Sequence, residues 1–427
     1  MDMVHDYQNE SASGKARWLP WCICFAASLF FFYEFIQGNM FASIADDIMR
    51  DFHIQADNLT YLSSVYYLSN VLFLFVAGII LDRFSAKKTI LIAMLSCVIG
   101  TFVFAYAHSF SLALICRFVT GIGSAFCFLG PIRIASRWFP PKRMAMVTGL
   151  IVTIAMTGGM LSQYPLTKLV LYIGWRSSMI WLGWLGLCIL GLMMVFIQDK
   201  PSTNSTQPRI GILASAKIAY LNPQTIRAAL YASLMNMAVA VFGAVMGSLY
   251  LMQRLDITKE KASLINSMIF LGAIIGGPLM GWISDKWGVR IAPMKYGALA
   301  SLLTVAIILY MPLTYTPMLI LFFLLGLFTA SQVISYALVA ESSSSAITAT
   351  AVSIVSILTQ SGYILYQNIF SKLLLRHGDM HMVNGVPIYS LSDYQFAATI
   401  LPIGLMVAFA ILYGLRETYC RRAKDHQ

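Results

Sequence analysis

The chain has 427 residues and a formal net charge of +11; 59% of its residues are hydrophobic and only 11% are charged. Soluble domains usually carry about 25% charged residues and about 45–50% apolar ones. This composition excludes a large soluble enzyme, a disulfide scaffold and a disordered tail, and it predicts an all-α membrane protein that crosses the bilayer many times.

Twelve apolar stretches follow one another along the chain, and a polar segment divides them six and six. We predict twelve transmembrane helices in two pseudo-symmetric six-helix bundles. The first six stretches lie at about 18–40, 59–81, 89–107, 111–134, 144–164 and 179–197, and the last six at about 226–252, 262–283, 291–311, 317–339, 348–374 and 396–415. The predicted division is an N-terminal tail (1–17), a first bundle (18–197), a linker (198–224), a second bundle (225–415) and a C-terminal tail (416–427).

The distribution of basic residues predicts the orientation. Twenty of the 29 Lys and Arg residues fall on the side that holds both termini, eight fall on the other side, and Arg117 lies within a span. Cytoplasmic loops carry the excess of basic residues, so both termini and the linker are predicted to be cytoplasmic, most simply at a bacterial inner membrane. The basic residues are short clusters between apolar runs, which indicates topology and not nucleic-acid binding.

An internal repeat supports the division into halves. The segment after the second stretch reads Gly78-Ile-Ile-Leu-Asp82-Arg83, and the segment after the eighth reads Gly281-Trp-Ile-Ser-Asp285-Lys286-Trp-Gly288-Val-Arg290. The two aspartates are 203 residues apart, at equivalent places in the two halves. Internal repeats of this kind mark transporters whose substrate site lies between the repeats.

These two segments resemble the G-x-x-x-D-[RK]-x-G motif of the major facilitator superfamily, and Arg117-x-x-x-Gly121-x-Gly123 resembles a second motif of that family. The first segment departs from the pattern, with Ser85 where Gly is usual. The resemblance covers nearly the whole chain. It implies alternating access, with the repeat residues closing the cytoplasmic side of the outward-open state, and it predicts a gating role for Gly78, Asp82, Arg83, Gly281, Asp285, Lys286, Gly288 and Arg290.

A physical reason supports the gating role of the two aspartates. A carboxylate at this mouth can sit against the positive N-terminus of a helix from the other half, and its basic neighbours can reach carbonyl groups or lipid phosphates. The alternative is that these loop charges only set the topology.

Two ionisable residues lie well inside the apolar spans, Glu34 in the first and Arg117 in the fourth. Such groups cost several kcal/mol unless they are paired or hydrated, which marks them as functional. Both fall at similar depth in the outer half of the bilayer and could pair. Glu34 is interpreted as a proton carrier, as a site for a cationic substrate group, or as a structural ion pair with Arg117. Arg117 is alternatively a site for a substrate carboxylate.

Polar and aromatic residues recur at helical spacing on several spans, which places them on common faces. In the family, the first, fourth, seventh and tenth helices line the central cavity. We therefore expect substrate contacts among these residues, although interhelical hydrogen bonding or a headgroup belt explains any single one equally well. The expected set is Tyr33, Gln37, Tyr66, Asn70, Asn236, Gln332, Tyr336, Gln360, Tyr363 and Gln367.

The sequence predicts a secondary transporter, and a monomer, that moves a small polar solute, with an amino acid as the first expectation. Proton-coupled uptake with Glu34 as the proton site is favoured, and residues 30–37 look somewhat like the Pht-type amino-acid and nucleoside transporters of intracellular bacteria. The alternatives are an exporter of drugs or of a siderophore-like metabolite, and a non-transporting membrane sensor. No enzyme activity, cofactor, metal or nucleic-acid partner is expected; a solute, the proton and membrane lipid are the expected partners.

Overall fold

The structure is a computed structural model that describes residues 2–139, 143–199, 221–343, 348–377, 381–383 and 386–421. Most of the predicted linker, the last six residues and the side chain of Asp82 lie outside the described part of the chain. Within that part the protein is mostly helical, as the composition predicts.

Within the described residues, nine α-helices form the N-terminal half. In chain order they are α1 (Asp2–Asn39), α2 (Phe41–Phe52), α3 (Ala56–Arg83), α4 (Ala86–Ala105), α5 (Phe110–Ser124), α6 (Leu129–Trp138), α7 (Met144–Leu161), α8 (Tyr164–Ile173) and α9 (Trp175–Phe196).

Nine further α-helices, a π-helical segment and a small hairpin form the C-terminal half. The α-helices are α10 (Pro223–Met235), α11 (Gly247–Leu255), α12 (Lys259–Trp287), α13 (Ile291–Tyr310), α14 (Tyr315–Thr329), α15 (Val333–Glu341), α16 (Thr348–His377), α17 (Leu391–Ala398) and α18 (Ile400–Ile411). The π-helical segment is Val239–Met246, and the hairpin pairs β1 (His381–Val383) with β2 (Val386–Ile388).

Ten stretches of helix in the described chain are long and apolar enough to cross a membrane. Two more helices, α3 and α16, contain 28 and 30 residues, and a span needs about 20. Helices satisfy their own backbone groups, which a hydrocarbon environment requires. The chain is therefore a multi-pass integral membrane protein.

Several predicted spans are interrupted, and proline explains two of the breaks. Pro131 lies in the first turn of α6 and Pro402 in the first turn of α18, where the missing N–H group is tolerated and the preceding helix must stop. The structure also adds two features that the sequence analysis lacked. These are the amphipathic helix α2 and the short hairpin, so the fold is not all-α throughout.

The two halves repeat one packing pattern. In the first half α1 packs on α7, α3 on α5, and α4 on α9; in the second half α10 packs on α16, α12 on α14, and α13 on α18. The halves meet where α3 packs on α16 and α7 on α12. The helices that follow the two Gly-x-x-x-Asp segments, α4 and α13, occupy equivalent places in this pattern.

The polar contacts between the halves are concentrated at one end, which we call the hairpin end because β1 and β2 lie there. The other end, marked by Asp199 and Leu221, is the linker end. Among the described residues, the hydrogen bonds and ion pairs that join the halves cluster toward the hairpin end. These contacts join Ala56 to Tyr389, Thr60 to Ser371, Ser64 to Asn368, Gln163 to Gly243 and Asn266, Tyr164 and Lys168 to Glu260, and Lys259 to Asp46 and Asp47. The hairpin end is thus closed.

Candidate functional site

Glu34 lies inside the N-terminal half on α1, and only 2% of its surface is exposed. The hydroxyl of Tyr66, on α3, donates a hydrogen bond to Oε2 of Glu34 at 2.9 Å and also reaches its backbone oxygen at 3.2 Å. The other carboxyl oxygen, Oε1, has no hydrogen-bond partner among the described residues. Tyr66 therefore holds one oxygen of a buried acid, and the thiol of Cys97 adjoins the same carboxyl group.

Arg117, on α5, is only 1% exposed. Its Nη1 donates to Oε1 of Gln37 at 3.4 Å, while Nε and Nη2 find no hydrogen-bond partner in the described chain. The guanidinium carbon lies 4.5 Å from the ring centre of Tyr66 and 5.0 Å from that of Phe41. Aromatic faces attract such a cation but do not replace an anion.

Glu34 and Arg117 form no ion pair within the described structure, although they lie close in the same half. Tyr66 contacts both, because its hydroxyl bonds the acid and its ring lies against the base. The depths predicted from the sequence therefore bring the two residues to one site, but through a tyrosine. The hypothesis of a structural ion pair has no direct contact behind it in this conformation.

Gly121 explains why Tyr66 comes so close to α5. A Cβ atom at Gly121 would lie 2.3 Å from the backbone oxygen of Tyr66 and 1.9 Å from Oγ of Ser69. Only a residue without a side chain fits there, so α3 and α5 approach closely one turn after Arg117. The Arg-x-x-x-Gly spacing thus places the base and the close helix contact on one face.

The remaining predicted residues of this half are engaged in interhelical hydrogen bonds. The hydroxyl of Tyr33 and the amide nitrogen of Gln37 both reach Oγ1 of Thr101, at 2.9 and 2.7 Å. Asn70 donates to Oγ of Ser124 at 2.7 Å, and its Oδ1 has no partner among the described residues. These bonds join α1, α3, α4 and α5 around the Glu34 site.

The predicted residues of the C-terminal half carry amides and phenols. Asn236 and Gln332 hydrogen-bond each other through both amide groups. The ring of Tyr363 lies 4.7 Å from that of Tyr67 in the other half, and Tyr67 adjoins Tyr66 in sequence. Tyr336 and Gln360 are partly buried.

Three side-chain amides donate to backbone oxygens of the π-helical segment, an irregular winding that is frequent at functional sites. Gln367 donates to the backbone oxygen of Ala240 at 3.0 Å, Asn266 to that of Phe242 at 3.0 Å, and Gln163 to that of Gly243 at 2.9 Å. The side-chain nitrogen of Gln367, a residue predicted to contact substrate, is thus used in a hydrogen bond to the backbone. Its Oε1 has no partner in the described chain.

The second repeat segment builds an ion network at the linker end. Arg290 donates to Asp285 at 2.6 Å and to Glu341 at 2.5 Å, and burial is outweighed by these two carboxylates, which raise its pKa. Glu417 accepts the backbone N–H groups of Arg290 and Ile291, both at 2.8 Å, at the start of α13. Asp285 thus pairs within its own half here. Gly288 ends α12 with a φ of 68°, a conformation that glycine adopts without strain.

The first repeat segment also makes polar contacts at the linker end, and there the central residue is a serine. Ser85 caps α4 by accepting the backbone N–H of Lys88, and it donates to Asp199. Ser85 therefore departs from the family pattern because its hydroxyl serves as a helix cap. Arg83 is exposed, and a Cβ atom at Gly78 or Gly281 would meet no atom within 4 Å. Lys286 lies 4.8 Å from the ring centre of Trp282.

Sequence reasoning missed the polar residues that close the hairpin end. Lys259 is buried at the start of α12 and pairs with Asp46 and Asp47 on α2. The apolar residues Phe41, Ile44, Ala45, Ile48 and Met49 recur at helical spacing, and this signal could have revealed α2. The partners of Lys259 are more than 200 residues away in sequence, and nothing local indicates them.

A membrane protein of two equivalently packed helical halves, the first of which holds a buried acid and base, has the architecture of a secondary transporter. The sequence model of the Major Facilitator Superfamily matches residues 23–246 and 228–423. The chain belongs to the Major Facilitator Superfamily, and the resemblance found in its motifs is confirmed.

Curated relatives share modest identity with the chain. A hexuronate transporter of Bacillus subtilis is 24% identical over 263 residues, which are 59% of this chain and 61% of the relative. A probable sulfoacetate transporter, SauU, of Cupriavidus necator is 24% identical over 42% of this chain and 41% of the relative. The lysosomal dipeptide transporter MFSD1 of Mus musculus is 23% identical over 62% and 61%. The chain thus matches less than two thirds of the length of these relatives.

Solved structures share the fold. A bacterial homologue of the human lysosomal transporter Spinster, in an inward-facing and unoccupied conformation, aligns with a TM-score of 0.74 at 16% identity and covers 95% of this chain and 99% of that one. A point mutant of the nucleoside transporter NupG aligns with a TM-score of 0.71 at 13% identity, covering 93% and 99%.

Proposed function

We propose that the protein is a proton-coupled secondary transporter that takes up a small polar solute by alternating access, with an amino acid as the first expectation. In this proposal α3 and α16 join the ten apolar stretches to give twelve spans. The linker end is cytoplasmic, in a bacterial inner membrane. The observation that carries the coupling is Glu34, a buried acid with one oxygen bound by Tyr66 and the other without a partner among the described residues.

The distribution of contacts supports the alternating-access cycle. The halves are joined at the hairpin end, whereas at the linker end the bonds of Ser85 and Arg290 each stay within one half. Opening the hairpin end requires that the contacts of Lys259 and Gln163 break. The linker-end segments around Ser85 and Asp285 then come together, as the family resemblance implies.

The solute class rests on the polar groups of the two halves. The C-terminal half offers amides and phenols at Asn236, Gln332, Tyr336 and Tyr363, and the N-terminal half offers the Glu34 site. The relatives are named for hexuronate, sulfoacetate and dipeptides, which are all small polar solutes. This supports a polar solute over the lipophilic drugs that an exporter would move.

The test is uptake into proteoliposomes of a labelled panel of amino acids, nucleosides, sugars and organic acids, with and without an inward proton gradient. Stimulated accumulation of one class supports the proposal. Uptake that only equilibrates the solute, with no accumulation in response to the gradient, contradicts proton coupling. Accumulation driven only by a gradient of opposite direction favours the exporter.

A membrane sensor is the second candidate, because the membrane sensor protein UhpC of Salmonella typhimurium is 24% identical over 62% of this chain. A sensor would bind a solute without moving it. Binding of a panel member to the purified protein, with no uptake or exchange of that same solute, would favour this alternative.

A further inference from the structure

Arg117 carries a buried positive charge that lacks an anion within the described chain. Nε and Nη2 have no hydrogen-bond partner there, and the bond from Nη1 to Gln37 is long at 3.4 Å. Buried charges in proteins are normally paired, since an isolated one is costly. The surroundings of Arg117 are therefore incomplete as they stand.

The two unpartnered nitrogens belong to one edge of the guanidinium group. The N–H bonds of Nε and Nη2 run nearly parallel, and their spacing matches the two oxygens of a carboxylate, which they bind as a pair. Phe41 and Tyr66 lie beside the group, but neither ring accepts two such bonds. A lysine in place of Arg117 could not present two parallel N–H groups, and a ligand with a single hydroxyl group could not accept both of them.

We propose that the transported solute carries a carboxylate, and that this carboxylate binds the Nε–Nη2 edge of Arg117. The class includes zwitterionic amino acids and small hydroxy or sugar acids. The competing anion is Glu34, whose Oε1 is also without a partner among the described residues. The inference rests on the proposed transport function, in which a proton on Glu34 removes the competitor and leaves the edge to the solute.

The groups that face Glu34 allow the solute carboxylate to replace Glu34 as the anion at Arg117. The titratable side chains around it are Tyr33 on its own helix, Tyr66 on α3, Cys97 on α4, Arg117 on α5, and Cys127 in the turn that follows. Arg117 is the only cation among them in the described chain. Neither a cysteine nor a tyrosine supplies a second carboxylate, so one proton on Glu34 decides which acid Arg117 binds.

The experiment compares matched pairs of solutes that differ in the carboxylate. Proteoliposomes loaded with one solute of a pair are tested for exchange against each member of that pair. The pairs are L-alanine and L-alaninamide, lactate and lactamide, and D-glucuronate and D-glucose. We expect one carboxylate member to exchange at least about tenfold better than its neutralised partner, the size of a charge-assisted hydrogen-bond pair. Arg117→Gln should abolish this preference. The control, Arg254→Gln, removes an arginine near the hairpin end that bonds the backbone oxygen of Met311 and should retain it.

The outcomes separate this inference from the proposed function. Equal exchange of both members of every pair, or no exchange of any acid, would overturn it, as would an undiminished preference in Arg117→Gln. If that variant does not fold, Arg117→Lys keeps the charge without the paired edge and should lose most of the preference. Neutral solutes driven by a proton gradient would overturn the inference and leave the coupling intact. A carboxylate preference that Arg117→Gln abolishes, in a protein that shows no gradient-driven accumulation, would contradict the coupling and leave the inference intact.

Discussion

The hydroxyl of Tyr66 donates to Oε2 of Glu34 across 2.9 Å, and this bond links α3 to the acid on α1. The neighbouring residue, Tyr67, donates to the backbone oxygen of Gly38, and its ring lies 4.7 Å from that of Tyr363 in the other half. Two consecutive residues therefore contact the buried acid and the opposite half. A shift of α3 during the cycle changes both contacts at once.

Glu34→Gln keeps the size of the side chain and its bond to Tyr66 but cannot release a proton. We expect the variant to exchange solute across the membrane while losing accumulation driven by a proton gradient. Uptake and counterflow in the same proteoliposomes measure the two activities. The matched control is Asp256→Asn at an exposed, left-handed position that asparagine also tolerates. Full gradient-driven accumulation in Glu34→Gln would remove Glu34 as the proton site.

Thr60→Cys combined with Ser371→Cys should lock the hairpin end. The two hydroxyl oxygens are 2.8 Å apart across the interface of the halves, so the cysteines can form a disulfide. Oxidation should stop transport, and a reductant should restore it, because the cycle requires the halves to separate there. Either single variant serves as the control. Transport that continues in the cross-linked protein would show that these residues do not part.

Gly121→Ala should destabilise the protein and disturb the Glu34 site. The added methyl group would clash with the backbone of Tyr66, and such overpacking costs about 1–3 kcal/mol. Gly149→Ala is the matched control, since a Cβ atom there meets nothing within 4 Å. Thermal unfolding in detergent and uptake should both fall for Gly121→Ala and not for the control. Equal behaviour of the two would contradict the close approach of α3 and α5.

Glu341→Gln should destabilise the linker end more than Asp285→Asn. Arg290 is nearly buried and donates three hydrogen bonds to Glu341, so removing that charge leaves the cation with the exposed Asp285 as its carboxylate partner, at a cost of about 1.5–3 kcal/mol. Asp285 is 68% exposed, and pairs of that kind contribute about 0–1 kcal/mol. Melting temperatures of the two variants rank the effects. We also expect Asp285→Asn to slow turnover without loss of solute binding; normal turnover would exclude the gating role.

The apolar runs and the repeat were sufficient to predict the membrane class and the family, because hydrocarbon imposes long helices and the Gly-x-x-x-Asp segments are distinctive. The positions of Glu34 and Arg117 along their spans predicted that the two residues lie near each other, and both contact Tyr66. Their indirect contact was not predictable, since which face of α3 presents Tyr66 depends on the fit of Gly121 against that helix. The pairing of Lys259 with Asp46 and Asp47 was not predictable either, because it depends on how two distant segments of the chain meet.

The breaks within the spans show a second limit of the sequence reading. Hydropathy does not distinguish an α-helix from the π-helical segment at Val239–Met246, because both are equally apolar. Gln163, Asn266 and Gln367 gave no local sign that they serve its carbonyl oxygens. Their roles depend on the packing of α12, α16 and the end of α7 around one point.

The side-chain hydrogen bonds to that π-helical segment differ in whether they cross the interface between the halves. Asn266 and Gln367 belong to the same half as the segment, whereas Gln163 belongs to the other half. When the halves separate, only the bond from Gln163 must be given up. In the proposed cycle the backbone of the segment therefore keeps two donors from its own half, and irregular backbone at membrane depth is tolerated where it is buried in protein.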